Sequence, residues 1–207
     1  MVKYLKMMGL AALAAMALTA FLGAGSASAV TLCKVAENPC AAANRYPSGT
    51  TIKGHSPEAV LKGFATVTCE SDVTDVTKAE SGNPLLDLIT AITFTNCKGC
   101  EKAEAINLPW KTELFWTSGS NGSLKVSSDG KGAPGAKLTN CSGFNCTFVA
   151  KGGVATLSVT GGNPAKVTAT NVELERTEGS FLCGSTATWN AVYTATSPTN
   201  IFVSQSP

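Results

Sequence analysis

Eight cysteines constrain the fold of this chain more than any other feature of its sequence. All of them lie downstream of residue 29: Cys33, Cys40, Cys69, Cys97, Cys100, Cys141, Cys146 and Cys183. An even number of cysteines in an exported protein is typical of a disulfide framework, although the sequence leaves the connectivity open. Proximity along the chain favours the pairs Cys33–Cys40, Cys97–Cys100, Cys141–Cys146 and Cys69–Cys183.

The first 29 residues predict a cleaved signal peptide. Lys3 and Lys6 form a basic start, residues 7–25 are apolar, and Ala27 and Ala29 supply the small residues that a signal peptidase accepts. The apolar stretch is almost long enough to be a membrane anchor, but the small-residue exit favours removal. We therefore predict a secreted, extracellular protein that begins after Ala29, with no other segment able to span a bilayer.

Removal of this segment makes the protein electrically neutral. The segment contains Lys3 and Lys6, so the mature chain keeps 14 of the 16 basic residues against all 14 acidic residues. A neutral surface gives no electrostatic reason to bind nucleic acid or an anionic membrane. We expect neither nucleic acid nor, after signal removal, a membrane among its partners.

Short alternating segments predict β-structure along the whole mature chain. The clearest of them are 65–69, 91–97, 155–160, 165–175 and 186–194. Apolar residues alternate with Thr in these segments, as expected for strands with one half-exposed face. In the last segment Ala187, Trp189, Ala191 and Tyr193 share one face. The Gly-Gly-Asn-Pro turn at 161–164 predicts a hairpin between two of the strands.

Two segments have a less certain secondary structure. Residues 56–64 begin with a Ser N-cap and a Pro, which is typical of a helix start, but their apolar run is short. Residues 83–92 fit either a helix or a buried strand, and we interpret them as a strand.

Many short strands separated by turns predict an all-β fold, either an antiparallel β-sandwich of immunoglobulin-like architecture or a barrel, stapled by disulfides. We expect one secreted domain over residues 30–207. The turn-rich stretch 127–135 suggests a two-part organisation as the alternative. A disulfide between Cys69 and Cys183 would tie the two parts together.

The sequence Thr-Asn-Cys occurs twice, at 95–97 and 139–141, and a second cysteine follows each time. A redox site would need a βαβ context, and zinc would need four matched ligands. Neither condition fits an exported β chain. We interpret both repeats as strand ends that lead into tight turns, with Gly99 and Gly143 reversing the backbone.

No catalytic constellation, cofactor site or metal site is recognisable. His55 is the only histidine and stands in a polar segment without triad partners. A carboxylate-dependent hydrolase remains an alternative, because paired carboxylates hydrolyse glycosides without histidine. Its candidate residues form two groups: Glu70, Asp72 and Asp75, and Glu173, Glu175 and Glu178.

Two further features suggest binding rather than catalysis. Trp110 and Trp116 have the same strand parity, and flat aromatic rings on an exposed sheet face can stack on sugar rings. The segment between Cys33 and Cys40 has the size and the disulfide of a protease-inhibitor loop.

Several blocks occur in a recognisable order over nearly the whole mature chain. They are LCKVAENPC, YPSGTTIKG, VTC, ITFTNC, LPW, CTF, GGNPA and GSFLCGSTATWNAVYTATSP. The chain thereby resembles a group of small secreted, disulfide-containing β proteins common in actinobacteria. The resemblance implies secretion and a β fold. That group has no assigned activity, so no site residues are transferred.

We therefore predict a secreted, non-catalytic β protein that binds an extracellular or cell-envelope partner, either a polysaccharide or a protein. The alternatives are the carboxylate-dependent hydrolase and the protease-inhibitor-like module that uses the Cys33–Cys40 loop.

The exported protein should have the mass of residues 30–207 with four disulfides. Intact mass spectrometry, with and without alkylation before reduction, measures both features at once. We expect no alkylated cysteine. Two or more alkylated thiols, particularly at Cys97 and Cys100, would contradict the structural interpretation and favour a redox or metal site.

Overall fold

A computed structural model describes residues 28–207, which form an all-β protein with four disulfides. The predicted signal peptide, 1–29, lies almost entirely outside the described residues. Within the described part of the chain, no helix is long and apolar enough to cross a membrane.

Fourteen strands account for most of the described residues. They are β1 (Val30–Cys33), β2 (Thr51–Lys62), β3 (Thr66–Thr77), β4 (Ser81–Gly82), β5 (Leu85–Lys98), β6 (Lys102–Ile106), β7 (Trp110–Ser118), β8 (Asn121–Ser128), β9 (Gly135–Cys141), β10 (Phe144–Ala150), β11 (Val154–Thr160), β12 (Lys166–Gly179), β13 (Thr186–Ser197) and β14 (Phe202–Gln205). Three short 3-10 helices lie at Ala42–Asn44, Lys151–Gly153 and Phe181–Cys183.

Eight of these strands form a closed antiparallel barrel, which confirms the barrel alternative. Around the ring the order is β2, β3, β5, β7, β8, β11, β12 and β13. The pairing of β13 with β2 and that of β11 with β12 close the ring. Strands that precede residues 127–135 and strands that follow them therefore belong to one closed ring.

The long strand β12 carries a second group of strands, which we call the extension. Its first residues, 166–168, pair with β11 in the barrel. Its last residues, 174–179, pair with β10 along the same edge, and β9 and β6 follow β10. One strand thus belongs to the barrel and to the extension.

A three-stranded sheet of β14, β1 and β4, which we call the plug, closes one end of the barrel. Val30 and Leu32 of β1 and Val203 of β14 form a buried cluster with barrel residues, among them Leu85 and Leu114. Because Leu85 and Leu114 lie opposite each other at one end of the ring, the plug covers that end.

Burial alternates along the strands and shows which side chains face the interior. In β13, Ala187, Ala191 and Tyr193 are buried and Trp189 is half-buried, as the sequence pattern predicts. The predicted hairpin at 161–164 is also confirmed, because β11 and β12 pair on either side of it.

Residues 56–64 are not helical. They belong mostly to β2, where a bulge between Ser56 and Ala59 accommodates Pro57 in the strand. Pairing with β3 and β13 on both sides outweighs the local helix-start signal. The strand interpretation of residues 83–92 is confirmed, because β5 begins at Leu85.

All eight cysteines form disulfides, but only Cys33–Cys40 was paired correctly from the sequence. The pairs Cys97–Cys100, Cys141–Cys146 and Cys69–Cys183 are wrong. The remaining disulfides are Cys69–Cys97, Cys100–Cys141 and Cys146–Cys183. They link β3 to β5, the β5–β6 turn to β9, and β10 to the segment before β13. Each of these three disulfides therefore connects segments that are close in the fold but well separated in the sequence.

The local conformation of the two Thr-Asn-Cys repeats explains this error. Asn96 and Asn140 both have positive φ, at 50° and 53°, and Gly99 and Gly143 follow at 89°. The predicted strand ends and tight turns are confirmed, and each reversal directs the two flanking cysteines toward different neighbours. Gly99 is also required sterically, because a Cβ there would lie 2.3 Å from the Thr66 carbonyl oxygen.

The four disulfides should differ in their contribution to stability according to loop length. Cys33–Cys40 spans 7 residues and Cys146–Cys183 spans 37, while all four sulfur-bearing residues are at most 1% exposed. The loop-entropy model gives about 2 kcal/mol for the short loop and about 4 kcal/mol for the long loop. Denaturant unfolding of the two double Cys→Ala variants measures this difference. Equal losses of unfolding free energy in the two variants would contradict the loop-length explanation, because the cysteines removed are equally buried in both.

Candidate functional site

The interior of the barrel contains a cavity of about 190 Å³. Leu32 of β1 and Ile201 line it from the plug. Leu138 and Ala150 line it from the extension. Inward-facing side chains of all eight barrel strands complete the wall. The cavity therefore lies between the plug and the extension, inside the ring.

Small side chains leave this space open. Ala59 of β2, Ala155 of β11 and Ala195 of β13 all line the cavity, and Gly54 does so from β2. An eight-stranded barrel is just wide enough for large side chains to fill it or for one small ligand to occupy it. Alanine and glycine at these inward positions favour an interior that has room for one small ligand.

Aromatic side chains form part of the same wall. Trp110, Trp189, Tyr193 and Phe94 line the cavity. Trp189 and Tyr193 contact each other edge to face, with 6.2 Å between ring centroids. The indole N–H of Trp110 donates a hydrogen bond to the Ile106 carbonyl oxygen at 2.8 Å, so its orientation is fixed. The wall is mainly apolar and partly aromatic.

Two carboxyl groups interrupt this apolar wall. Asp75 on β3 and Asp87 on β5 both line the cavity. Thr112 on β7 lies directly opposite Asp87, so its side chain is on the same face of the sheet. On β3, Thr77 is the direct partner of Asp87 and Asp75 is the next inward-facing residue, so Asp75 and Asp87 are diagonal neighbours. The three polar residues form a cluster on three adjacent strands near Leu85 and Leu114 at the plug end, in which the two carboxyl groups line the cavity and Thr112 lies beside Asp87. We call them the polar layer.

Each member of the polar layer has an oxygen atom without a hydrogen-bond partner among residues 28–207. These atoms are Asp75 Oδ1, Asp87 Oδ1 and Thr112 Oγ1, and all three are buried. Asp87 is 3% exposed and Thr112 is 0% exposed. Buried polar atoms are almost always paired, because an unpaired one costs about 1–3 kcal/mol. Three such atoms in one layer are unusual for a purely structural core.

Burial shifts the protonation of both carboxyl groups. Burial raises the pKa of Asp87 to about 8, and the negative charge of Asp75 adds to this rise, while the Lys78 backbone N–H opposes it. Burial also raises the pKa of Asp75 to about 6, against the lowering effects of the Val76 and Leu88 backbone N–H groups and of the Lys78 charge. Both carboxyl groups therefore keep their protons to a higher pH than exposed carboxyl groups do.

A second polar contact lies elsewhere in the interior. The hydroxyl groups of Ser71 and Tyr193 are 3.0 Å apart. Burial raises the pKa of Tyr193 to about 12, so the phenol is neutral at ordinary pH. Ser56 lies opposite Ser71, and its buried Oγ has no partner among the described residues.

The two tryptophans singled out from the sequence lie on the inner face of the sheet. Trp110 is only 6% exposed and lines the cavity. Trp116 is half-buried near the plug, and its indole N–H donates to the Gly119 carbonyl oxygen at 2.9 Å. Trp110 therefore cannot contribute to a stacking face on the outside of the sheet, because the barrel closes around it.

His55 lies on the outer face of β2, in a strand rather than in a turn. Its Nδ1 is 2.9 Å from Asp72 Oδ1, and the two residues are cross-strand partners. No serine or cysteine joins this pair within hydrogen-bond distance in the described part of the chain. The arrangement is an exposed ion-pair geometry, without a nucleophile.

The carboxylates proposed for a hydrolase do not converge. On β3, Glu70 and Asp72 face outward and Asp75 faces inward, because side chains alternate along a strand. On β12, Glu173 is exposed and binds Lys151 at 2.7 Å. The inward pair instead combines Asp75 with Asp87. A sequence signal for Asp87 existed, since it is the only charged residue in the apolar run Leu85–Ile92.

The Cys33–Cys40 loop is held firmly at its base. Glu37 Oε1 accepts hydrogen bonds from the Ala41 backbone N–H at 2.7 Å and from the Asn44 amide at 2.9 Å. Val35 at the tip is 42% exposed. The inhibitor-loop hypothesis stays a prediction. Among residues 28–207, Cys33, Glu37 and Cys40 are the only three potential metal ligands grouped within 4.8 Å, but the disulfide removes both thiolates.

No protein-family model, curated protein or solved structure matches this chain.

The buried carboxyl groups should make the protein less stable as pH rises. The folded protein keeps the Asp87 proton up to about pH 8, whereas the unfolded chain releases it near pH 3.8. Between these values the folded state binds more protons. The free energy of unfolding therefore falls with rising pH, by up to about 1.4 kcal/mol per unit.

The Asp87→Asn variant isolates this contribution. We expect its free energy of unfolding to equal that of the wild type near pH 3.8 and to exceed it toward pH 8. Denaturant unfolding across this pH range measures both proteins. Glu178→Gln, an exposed carboxylate change, is the control and should leave the slope unchanged. An identical pH slope in wild type and Asp87→Asn would contradict the prediction.

Proposed function

We propose that the protein is a secreted, non-catalytic binding protein that holds one small, largely apolar molecule inside its barrel. The observation that carries this proposal is the cavity of about 190 Å³ enclosed by the ring, the plug and the extension. A well-packed core contains few voids larger than a water molecule. A bound ligand explains a space of this size better than poor packing does.

The volume sets the size of the ligand. An apolar cavity of about 150 Å³ in another protein binds benzene or xenon. A cavity of about 190 Å³ therefore suits a monocyclic molecule with a short substituent. A polysaccharide chain or a protein segment does not fit this volume, so the proposal narrows the partner to a small molecule.

The composition of the wall also favours binding over catalysis. Sugar substrates require many polar groups around the scissile bond, whereas this wall is formed chiefly by Ala, Leu, Val, Ile and aromatic side chains. Asp75 and Asp87 are the only acidic residues that line it. Two carboxyl groups in an apolar chamber suit recognition of one polar group on a ligand.

Secretion is supported by two independent features. The four disulfides suit an oxidising compartment. The basic, apolar and small-residue regions of the first 29 residues are typical of a signal peptide. A secreted carrier also needs a stable protein body, and cross-linked β-sheet provides it.

Small monocyclic molecules should stabilise the protein. A ligand that binds only the folded state raises the free energy of unfolding by about 2.7 kcal/mol at a concentration of 100 times its Kd. Thermal unfolding of the exported protein with a panel of neutral and charged monocyclic compounds measures this as a rise in Tm.

The Ala155→Leu variant tests whether the cavity is responsible. Ala155 lines the cavity and is 4% exposed, so leucine there fills part of the space. We expect this variant to fold and to lose the rise in Tm. Thr156→Leu, on the outer face of the same strand, is the matched control and should keep it. If no compound raises the Tm of the wild type, the proposal is refuted.

A further inference from the structure

The polar layer presents negative charge to the cavity without an ion pair to compensate it, since Lys53 and Lys166, which also line the cavity, are exposed residues. Neither Asp75 nor Asp87 forms an ion pair with a residue in the range 28–207. Lys78 acts on Asp75 only through its charge, and it is itself exposed. Ile89, directly opposite Asp75, and Trp110, directly opposite Ile89, are apolar or aromatic.

A buried charge without a partner is costly, and proteins usually compensate it with an ion pair, a metal or a proton. Here one proton can serve the pair, but a negative charge remains whenever either carboxyl group is ionised. Asp75 Oδ1, Asp87 Oδ1 and Thr112 Oγ1 are also left without hydrogen-bond partners in the described chain. The layer thus lacks both a positive charge and a partner for these three oxygen atoms.

A protonated amine supplies both. We infer that the ligand is a small apolar amine, whose nitrogen lies between Asp75, Asp87 and Thr112 while its apolar body occupies the rest of the cavity. This inference rests on the proposed function and assigns the chemical class of the ligand. A primary ammonium group has three N–H donors, which matches the three unpartnered oxygen atoms.

The neighbouring aromatic residues support the same ligand class. Trp110 is two residues from Thr112 on β7, so it occupies the next layer of the wall on the same face. Aromatic faces attract cations, and the attraction is stronger when the cation is desolvated. An aromatic ring next to the carboxyl pair therefore favours an ammonium group and penalises an anion.

Other ligand classes fit the layer less well. A carboxylic acid would place its negative charge beside Asp75 and Asp87, and like charges in a buried site repel each other. A calcium ion requires six to eight oxygen ligands, whereas the layer offers two carboxyl groups and one hydroxyl. A neutral alcohol could donate one hydrogen bond but would leave the charge uncompensated.

Two isosteric probes separate the amine from the apolar body. Benzylamine and ethylbenzene have nearly the same shape and differ in an ammonium against a methyl group. We expect the exported protein, with its disulfides intact at neutral pH, to bind benzylamine at least tenfold more tightly than ethylbenzene. Titration followed by NMR or calorimetry measures both Kd values.

Variants test which residues are responsible. The double variant Asp75→Asn with Asp87→Asn should lose the preference for benzylamine and keep its affinity for ethylbenzene. The double variant Glu70→Gln with Glu178→Gln also removes two carboxyl groups, but outside the cavity, and should keep the preference. Thr112→Val, a change of similar shape, should weaken benzylamine binding about threefold and leave ethylbenzene unaffected, which maintains the test if the Asp variants fail to fold.

The outcomes distinguish this inference from the proposed function. Ethylbenzene binding as tightly as benzylamine would overturn the amine assignment and leave an apolar carrier. Failure of both probes to bind the wild type would overturn the proposed function itself. Calcium binding that displaces benzylamine and disappears in the Asp75→Asn, Asp87→Asn variant would assign the layer to a metal ion and also overturn the amine assignment.

Discussion

Closure of an eight-stranded ring is the constraint on which the rest of this structure depends. A ring of this size has an interior whose width is set by the number and tilt of its strands. The inward side chains therefore decide whether that interior is solid or hollow. Here Gly54, Ala59, Ala155 and Ala195 contribute little volume, and a cavity results. The plug and the extension are needed because an open ring would admit water along this apolar wall.

Strand β12 couples the barrel to the extension. Its first half pairs with β11 and its second half with β10, so closure of the ring and attachment of the extension use the same backbone. Three disulfides add covalent links. One joins the barrel strands β3 and β5, and the other two join the extension strands β9 and β10 to the β5–β6 turn and to the segment before β13. These links oppose separation of the extension from the ring, which would expose the cavity.

The sequence was sufficient for the fold class and for most strands, because alternation of side chains is a local property. It correctly placed Trp189 and Tyr193 on one face and predicted the turns at Gly99 and Gly143. Only one of the four disulfide pairs, Cys33–Cys40, could be predicted from it, since Cys97 and Cys100 are three residues apart but bond to cysteines of different strands. Pairing between strands is a long-range property that local patterns do not contain.

The candidate site was missed for the same reason. Asp75 was noticed only as one of three carboxylates close in sequence, and two of those three face outward. Its true neighbours in the polar layer are Asp87 on β5, which is diagonal to it, and Thr112 on β7, which is opposite Asp87, and the pairing of these three strands brings them together. Trp110 was singled out as a possible stacking residue because the parity of a strand does not say which face becomes the interior. Only the curvature of the closed sheet makes that choice.

The polar layer has a physical consequence for the whole barrel. Unpaired carboxyl oxygens and an unfilled cavity both reduce stability, and the hydrophobic contacts of the ring must offset them. Such features persist in a protein when the surrounding structure holds them in place. The plug at one end of the barrel and the three disulfides Cys69–Cys97, Cys100–Cys141 and Cys146–Cys183 supply that support. The same bonds that stabilise the fold therefore allow the interior to keep a cavity and a buried pair of carboxyl groups.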